Sequence, residues 1–401
     1  MKQKLLVFIC FCLVCGRGID AYAQKNKPLV FALDADVLAR NKAAIRNNDP
    51  LLLPAYKQLV KDAGKGLEYG PVSVMEKKNL PPSGDMHDYM SLAPYFWPDP
   101  SKADGLPYIR KDGQTNPEVS EYKDKEYMPR LCEVIHTLAL AWYFSEDKLY
   151  AEHAAQLLRV WFLDTATRMN PNLDFAQAIK GVNAGRGAGL IDSRHFIKVI
   201  DAVQLLQNSP SWKKEDERGM KQWFTRFLHW MQTSPNGLDE MDAPNNHGAW
   251  YDAQRLSMAL FTGDNELAKK VVANAAARLD KQMDENGSFP KEMERTTSFH
   301  YTVFVMDAFF TIAIMAKKAG SDLWSLTTPS GKSLKKAFDA LRPYLSREKV
   351  WQGQQIKEFD YEEGFFLLTQ GAARFECRKC RDTVKSLAMD KAARLRVNLL
   401  Y

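Results

Sequence analysis

The sequence predicts an all-α protein built from consecutive helical hairpins. Apolar residues recur at helical spacing through most of the chain, alternating strand patterns are scarce, and the periodic stretches are joined by short turns. The clearest stripe is Leu131, Val134, Ile135, Leu138, Ala139 and Trp142, whose spacing places them on one face of a helix. Taken in order, the periodic stretches fall at residues 36–47, 51–65, 127–145, 148–164, 192–207, 214–233, 248–262, 265–285, 298–318, 332–345 and 383–397. Asn208-Ser209-Pro210 and Thr262-Gly263-Asp264 are typical of the turns between them. Helices paired this way build either a closed ring of hairpins or an open solenoid. No repeat of fixed length and motif occurs, which argues against a tetratricopeptide array.

Composition narrows the functional classes. Of 401 residues, 45% are apolar and 26% charged, enough for a large core, which excludes disorder, collagen and coiled coil. The formal charge is only +6 and no run of five lysines or arginines occurs, so no nucleic-acid footprint is expected. A local cationic cleft for an acidic substrate stays open.

The amino end reads as a signal peptide over residues 1–23. Lys2 and Lys4 precede the apolar stretch Leu5 to Cys15, and Ala21-Tyr22-Ala23 makes a small-x-small cleavage site. The expected product is a periplasmic or secreted protein with a single domain over residues 24–401 and a formal charge of +4. A lipid anchor on Cys15 is disfavoured by the bulky Val14. No later segment long enough to span a bilayer lacks charges, so membrane insertion is not expected. Only Cys132, Cys377 and Cys380 remain after cleavage. The lone C-x-x-C of Cys377 and Cys380 lacks the context of a zinc or thioredoxin-like site and reads as a local disulfide or two inert thiols.

Residues 70–117 break the helical pattern. This stretch is rich in proline, glycine and aromatics and shows no helix of its own, which is typical of a functional lid or binding loop. Tyr89, Tyr95, Phe96, Trp97 and Tyr108 can stack on the C–H faces of sugar rings. They serve equally well as plugs that seat an irregular segment on the helices.

Seven histidines are present. His136, His153, His195 and His229 lie in helical runs, where a satisfied or solvated role is expected, whereas His87, His247 and His300 sit in turns or helix starts. No paired metal-ligand spacing occurs, so no metal or cofactor is called for. Pro244-Asn245-Asn246-His247-Gly248 reads as a helix start whose amide and imidazole project from the positive end, where they suit an anion. An ordinary N-cap explains the same residues. In Arg295 to Tyr301, Thr297 or Ser298 can cap a helix with Tyr301 in its first turn and Arg295 just outside. A cationic neighbour and a helix N-terminus favour the phenolate, so Tyr301 is expected to titrate below a free phenol and act as a base. A core aromatic beside a surface arginine is the plainer alternative.

Several stretches together resemble the alginate lyase family of polysaccharide lyases. They are His87-Asp88-Tyr89 with Ala93 to Pro100, Tyr108 to Gly113 with Asn116-Pro117-Glu118, Met169 to Leu173 with Gln177, Gly185-Arg186-Gly187, Asp192, Asn245 to Gly248, and Arg295 to Tyr301. The resemblance covers about residues 80–320. It implies an α/α toroid, an incomplete barrel of six or seven helical hairpins, that cleaves acidic polysaccharides by β-elimination without a cofactor. It further implies that Asn246, His247 and Arg295 surround a uronate carboxylate while a tyrosine is catalytic base and acid. In family-five alginate lyases the arginine and tyrosine are seven apart and a histidine follows the tyrosine. Here Arg295 and Tyr301 are six apart and His300 precedes Tyr301, so His300 competes for the proton-transfer role. The pattern is closer to family thirty-eight, which includes alginate- and glucuronan-active lyases.

The chemistry fits these residue types. Removing a C5 proton beside an ionised carboxylate requires the added charge to be neutralised as the enolate forms, which Asn246, His247 and Arg295 can supply. Tyr301 then takes the proton and returns one to the bridging oxygen, and His247 is the reserve base for the opposite C5 configuration. Arg186, Gln177, Tyr95, Trp97, His87 and His300 are candidates for binding neighbouring sugars. One competing reading is a glycoside hydrolase acting on uronic-acid oligosaccharides through two of Asp88, Asp192 and Glu294. The other is a noncatalytic glycan-binding protein.

Overall fold

The computed structural model describes residues 27–401, so the expected signal peptide lies outside the described residues. The helices are α1 (Ala35–Arg46), α2 (Leu53–Gly66), α3 (Lys123–Ser145), α4 (Lys148–Leu158), α5 (Phe196–Leu206), α6 (Lys214–Thr233), α7 (Pro235–Met241) and α8 (Asn246–Thr262). They continue as α9 (Asn265–Gln282), α10 (Pro290–Met293), α11 (Ser298–Ala316), α12 (Leu334–Leu345), α13 (Phe365–Arg374), α14 (Arg378–Ala388) and α15 (Val397–Leu400).

Local chemistry starts several of them. Asp34 caps α1 by accepting from the Asp36 and Val37 N–H groups, and Asp147 and Asp264 cap α4 and α9 in the same way. The stripe read from the sequence faces inward, with Leu131, Ile135, Leu138 and Ala139 of α3 fully buried.

Packing runs in a circuit. Helix α3 packs on α5, α5 on α8, α8 on α11, α11 on α13 and α13 on α15; α15 returns to α1 and α2, and α2 lies on α3. Helices α4, α6, α9, α12 and α14 back this inner series from outside. The result is an all-α toroid. The amide of Asn41 in α1 ties the seam by donating to the Leu399 carbonyl at 3.1 Å, and Arg374 pairs with Asp34 at 2.9 Å. Helix α11 is long and apolar enough to cross a membrane, but most of it is buried, as an inner-ring helix covered on all sides must be.

Aromatic packing fills one side of the ring. Phe162 and Phe196 meet the face and edge of Trp223 at 4.9 and 5.6 Å, and Trp223 stacks on Phe227 at 5.2 Å. Each such side chain contributes about 1.5–3 kcal/mol by burial.

Three departures from the sequence reading matter, and one of its open alternatives is decided. Residues 70–117 hold short strands: β1 (Met90–Leu92), β2 (Phe96–Trp97) and β3 (Ile109–Arg110), with β4 at Phe175–Ala178. Strand β1 pairs in parallel with β4, and β2 with β3 antiparallel. Helices α7, α10 and α13 were not expected. The stretch 383–397 is not one helix, because Met389 takes a positive φ of 48° and ends α14. Cys377 and Cys380 form a disulfide, and Cys132 is buried and free.

Candidate active site

The head of α8 presents two polar side chains. Asn245 caps the helix by accepting from the His247 N–H at 3.2 Å. Gly248 lets α8 start in tight quarters, since a Cβ there would stand 2.3 Å from the Ala243 carbonyl. Two buried glutamates then orient Asn246, itself buried, and the partly exposed His247. Glu292 of α10 accepts from the Asn246 backbone N–H at 2.6 Å and from its Nδ2 at 2.8 Å. Glu240 of α7 lies 2.7 Å from His247 Nδ1. Burial raises the Glu292 carboxyl above its ordinary value, although both Asn246 donors oppose the shift.

The turn from α10 into α11 brings the second pair. Arg295 is gripped by Asp112, which accepts from Nε with both oxygens at 3.1 Å and from Nη2 at 2.7 Å. Burial acts to raise Asp112, but this fork and the Thr296 N–H win and hold it well below the usual carboxylate range. The guanidinium carbon stands 3.6 Å from the centre of the Tyr301 ring. The expected cap is replaced: neither Thr297 nor Ser298 caps α11 with its side chain, and Gln355 accepts from the Phe299 N–H at 3.1 Å instead.

The expectation of an acidified phenol is corrected. Burial, reinforced by the neighbouring Tyr95 hydroxyl, pushes Tyr301 far above the free phenol, and Arg295 pulls the other way without prevailing. Tyr301 therefore rests as a phenol, its oxygen 2.9 Å from the Tyr95 oxygen.

These groups line one cleft of about 640 Å³. Asn246, His247, Arg295, Tyr301, His300, Tyr95, Gln177 and Arg186 all reach its wall, as do Phe96, Lys125, Asp192 and Arg194. Arg186 enters between two glycines that permit close backbone packing: a Cβ at Gly185 would lie 2.0 Å from the Asp174 carbonyl, and one at Gly187 2.3 Å from Asp239. Its guanidinium lies over Phe96 at 5.2 Å and donates to Gln177 Oε1 at 2.8 Å. Buried Asp192 accepts from Tyr89, Ser91, Gln177 and Lys125. Among the described residues no group of three or more histidine, cysteine, aspartate or glutamate side chains is placed to hold a metal ion.

A cleft assembled in this order along the chain matches a known family. The alginate lyase family model matches residues 73–351. The chain belongs to the alginate lyase family. A crystal structure of an alginate lyase from Bacteroides ovatus is 40% identical, covers 93% of this chain and 99% of its own, and superposes with a TM-score of 0.88. Alginate lyase A1-III from Sphingomonas species A1 is 16% identical, with coverage of 82% and 90% and a TM-score of 0.51, a likeness of fold. A variant of that enzyme complexed with a tetrasaccharide has the same identity and a TM-score of 0.50, covering 82% of this chain and 89% of its own. No curated protein sequence matches the chain.

As a member of the alginate lyase family the protein is a polysaccharide lyase, and its sequence-read candidates divide accordingly. Trp97 and His87 stand outside the cleft. Trp97 Nε1 donates to the Gln114 carbonyl at 2.9 Å, and His87 Nδ1 is 2.6 Å from the Arg168 carbonyl, so both serve the loops they belong to. His300 reaches the cleft, but its Nδ1 is taken by Glu363 at 2.5 Å. The aromatics of residues 70–117 separate into both readings: Tyr95 and Phe96 face the cleft, while Tyr89 is buried and Tyr108 donates to Glu118 at 2.7 Å. Of the carboxylates named for a hydrolase, only Asp192 lines the cleft, and four donors occupy it. Sequence reasoning missed Glu240 and Glu292. Glu240 is seven residues before His247 in a separate short helix, and Glu292 meets Asn246 across 46 positions, so no local spacing marks either.

Proposed function

We propose that this lyase cleaves an acidic polyuronate, alginate or glucuronan, by β-elimination, acting as a periplasmic or secreted enzyme. The observation that carries the reading is the convergence of Asn246, His247, Arg295 and Tyr301 on one cleft wall, each of the first three held by its own carboxylate. Asn246 and His247 meet the carboxylate of the sugar being cut and share the charge it gains as C5 loses its proton. Two of the three nitrogens of Arg295 are engaged by Asp112, so its largest effect falls on Tyr301, where its positive charge stabilises a phenolate.

In the elimination the C5–H electrons form the C4–C5 double bond, the C4–O bond breaks, and the bridging oxygen takes a proton. No water is consumed. Tyr301 supplies that last proton directly as the phenol it is at rest. Where C5–H and C4–O lie on the same side, as in mannuronate, Tyr301 first gives its resting proton to solvent by way of the Tyr95 hydroxyl, then takes the C5 proton as a phenolate and passes that same proton to the bridging oxygen. Arg186, Gln177 and Tyr95 bind neighbouring sugars.

The test is a screen of purified protein against polymannuronate, polyguluronate and glucuronan, following the unsaturated product in the near ultraviolet. Product is expected from at least one polyuronate and from no neutral glucan. Saturated reducing ends would instead mark a hydrolase, and binding without product would mark a glycan-binding protein.

A further inference from the structure

The turn that leads into the site is held from behind. Arg278 of the outer helix α9 has a side chain only 14% exposed and commits all three guanidinium nitrogens to three acceptors. Nε donates to Asp252 of α8 at 2.7 Å, Nη1 to the Ala243 carbonyl at 2.9 Å, and Nη2 to the Met241 carbonyl at 2.8 Å. One turn further along α9, Gln282 donates to the Asn245 carbonyl at 2.9 Å. Met241 ends α7, so its carbonyl has no partner within its own helix. The guanidinium lies so close to the first turn of α8 that a Cβ at Gly248 would stand 2.1 Å from Nη1.

Arg278 stands apart from the catalytic cleft. It lines a separate outer cavity of about 420 Å³, and Asp242, Ala243 and Pro244 form the partition between the two. We propose that Arg278 is a positioning residue for the elimination, a clamp that holds the α7 end bearing Glu240 and the α8 head bearing Asn246 and His247 at a fixed separation beneath the substrate carboxylate. The proposal rests on the lyase reading above. A planar fork satisfies three acceptors at once, whereas a lysine ammonium is a single point of charge that cannot span them. Without the clamp the Met241 and Ala243 carbonyls lose their partner and the turn relaxes toward the outer cavity. Asn246 and His247 then drift from the place where charge grows on the sugar carboxylate, and a displacement near 1 Å costs about 100-fold in rate. Because that charge is largest in the transition state, the loss falls on kcat more than on KM.

The test compares Arg278→Ala and Arg278→Lys with the unmodified enzyme on the polyuronate it cuts best, read as unsaturated product. Both variants are expected to lose about 100-fold in kcat, with KM held within about threefold. Truncation to alanine opens the clamp position to the outer cavity, so methylguanidinium at about 20 mM, far below denaturing strength, is expected to raise the kcat of that variant about tenfold. Methylammonium at the same concentration is expected to leave it unchanged. A purely structural Arg278 would lower the melting temperature while turnover per folded molecule stayed full, and that result overturns the proposal. A loss carried by KM overturns it too. An equal response to both cations, or to neither, would show that the position needs no fork and would have the same force. Should Arg278→Ala fail to fold, Arg278→Lys keeps a charge beside Asp252 and decides the question through the kcat and KM split alone. No unsaturated product from any polyuronate with the unmodified enzyme overturns the lyase reading itself, a result distinct from a full-rate Arg278 variant.

Discussion

The cluster around Phe196 and the corner around Tyr301 are both buried, yet they are assembled by opposite means. Around Phe196, rings of Phe162, Trp223, Phe224 and Phe227 meet edge to face, and the one polar group among them, the Trp223 indole N–H, donates to the Met169 carbonyl at 2.9 Å. Around Tyr301, each polar group is specified by another: Arg295 by Asp112, Asn246 by Glu292, His247 by Glu240. The first region stabilises the ring by removing area from water. The second spends burial on holding charges in fixed positions, which stabilises little but leaves no reorganisation for the reaction to perform.

Substitutions in the two regions should therefore separate activity from stability. Tyr301→Phe is expected to lower kcat/KM by about 10²–10⁴-fold while the melting temperature stays nearly unchanged, measured by product absorbance and calorimetry. Near wild-type turnover would remove Tyr301 from the chemistry. Phe196→Ala makes the reverse case: a stability loss of about 3–5 kcal/mol in denaturant titration, with turnover per folded molecule preserved. Asp112→Ala lies between. It leaves Arg295 without its fork and the Thr296 N–H without an acceptor, so about a 10–100-fold loss of kcat should accompany a loss of about 2–3 kcal/mol. An Asp112 variant with full activity would show that Arg295 needs no anchor.

The smallest effect concerns pH. Burial raises the Asp201 carboxyl to about 7, against the Phe31 and Ala32 N–H donors that oppose the shift. Its folded pKa exceeds the unfolded value of about 3.9, so the stability it contributes is complete below about pH 4 and is lost as pH rises toward 7. Asp201→Asn should flatten that decline by a few degrees in melting temperature between pH 4 and 7.

Legibility in the sequence follows the same division. Stripes such as Leu131 to Trp142 announce the inner helices, because burial on one face needs a fixed period. Helix α13 escaped because Phe365-Phe366-Leu367-Leu368 is a short continuous apolar run, compatible with strand or helix. At the site, Asn246, His247, Arg295 and Tyr301 were legible through motif and helix start. Their partners were not, since pairing Arg295 with Asp112 joins residues 183 positions apart. The titration of Tyr301 was misjudged for a related reason: the sequence displays the nearby arginine but not the depth at which the phenol sits.

The bond from Asn41 to the Leu399 carbonyl spans 358 positions. A nascent chain can zip its hairpins one after another as they emerge, but it cannot seal the seam until residues 397–401 have left the ribosome. Completing the ring thus waits on the hairpins between its two edges, a closure whose entropy cost is met only after the local contacts have formed.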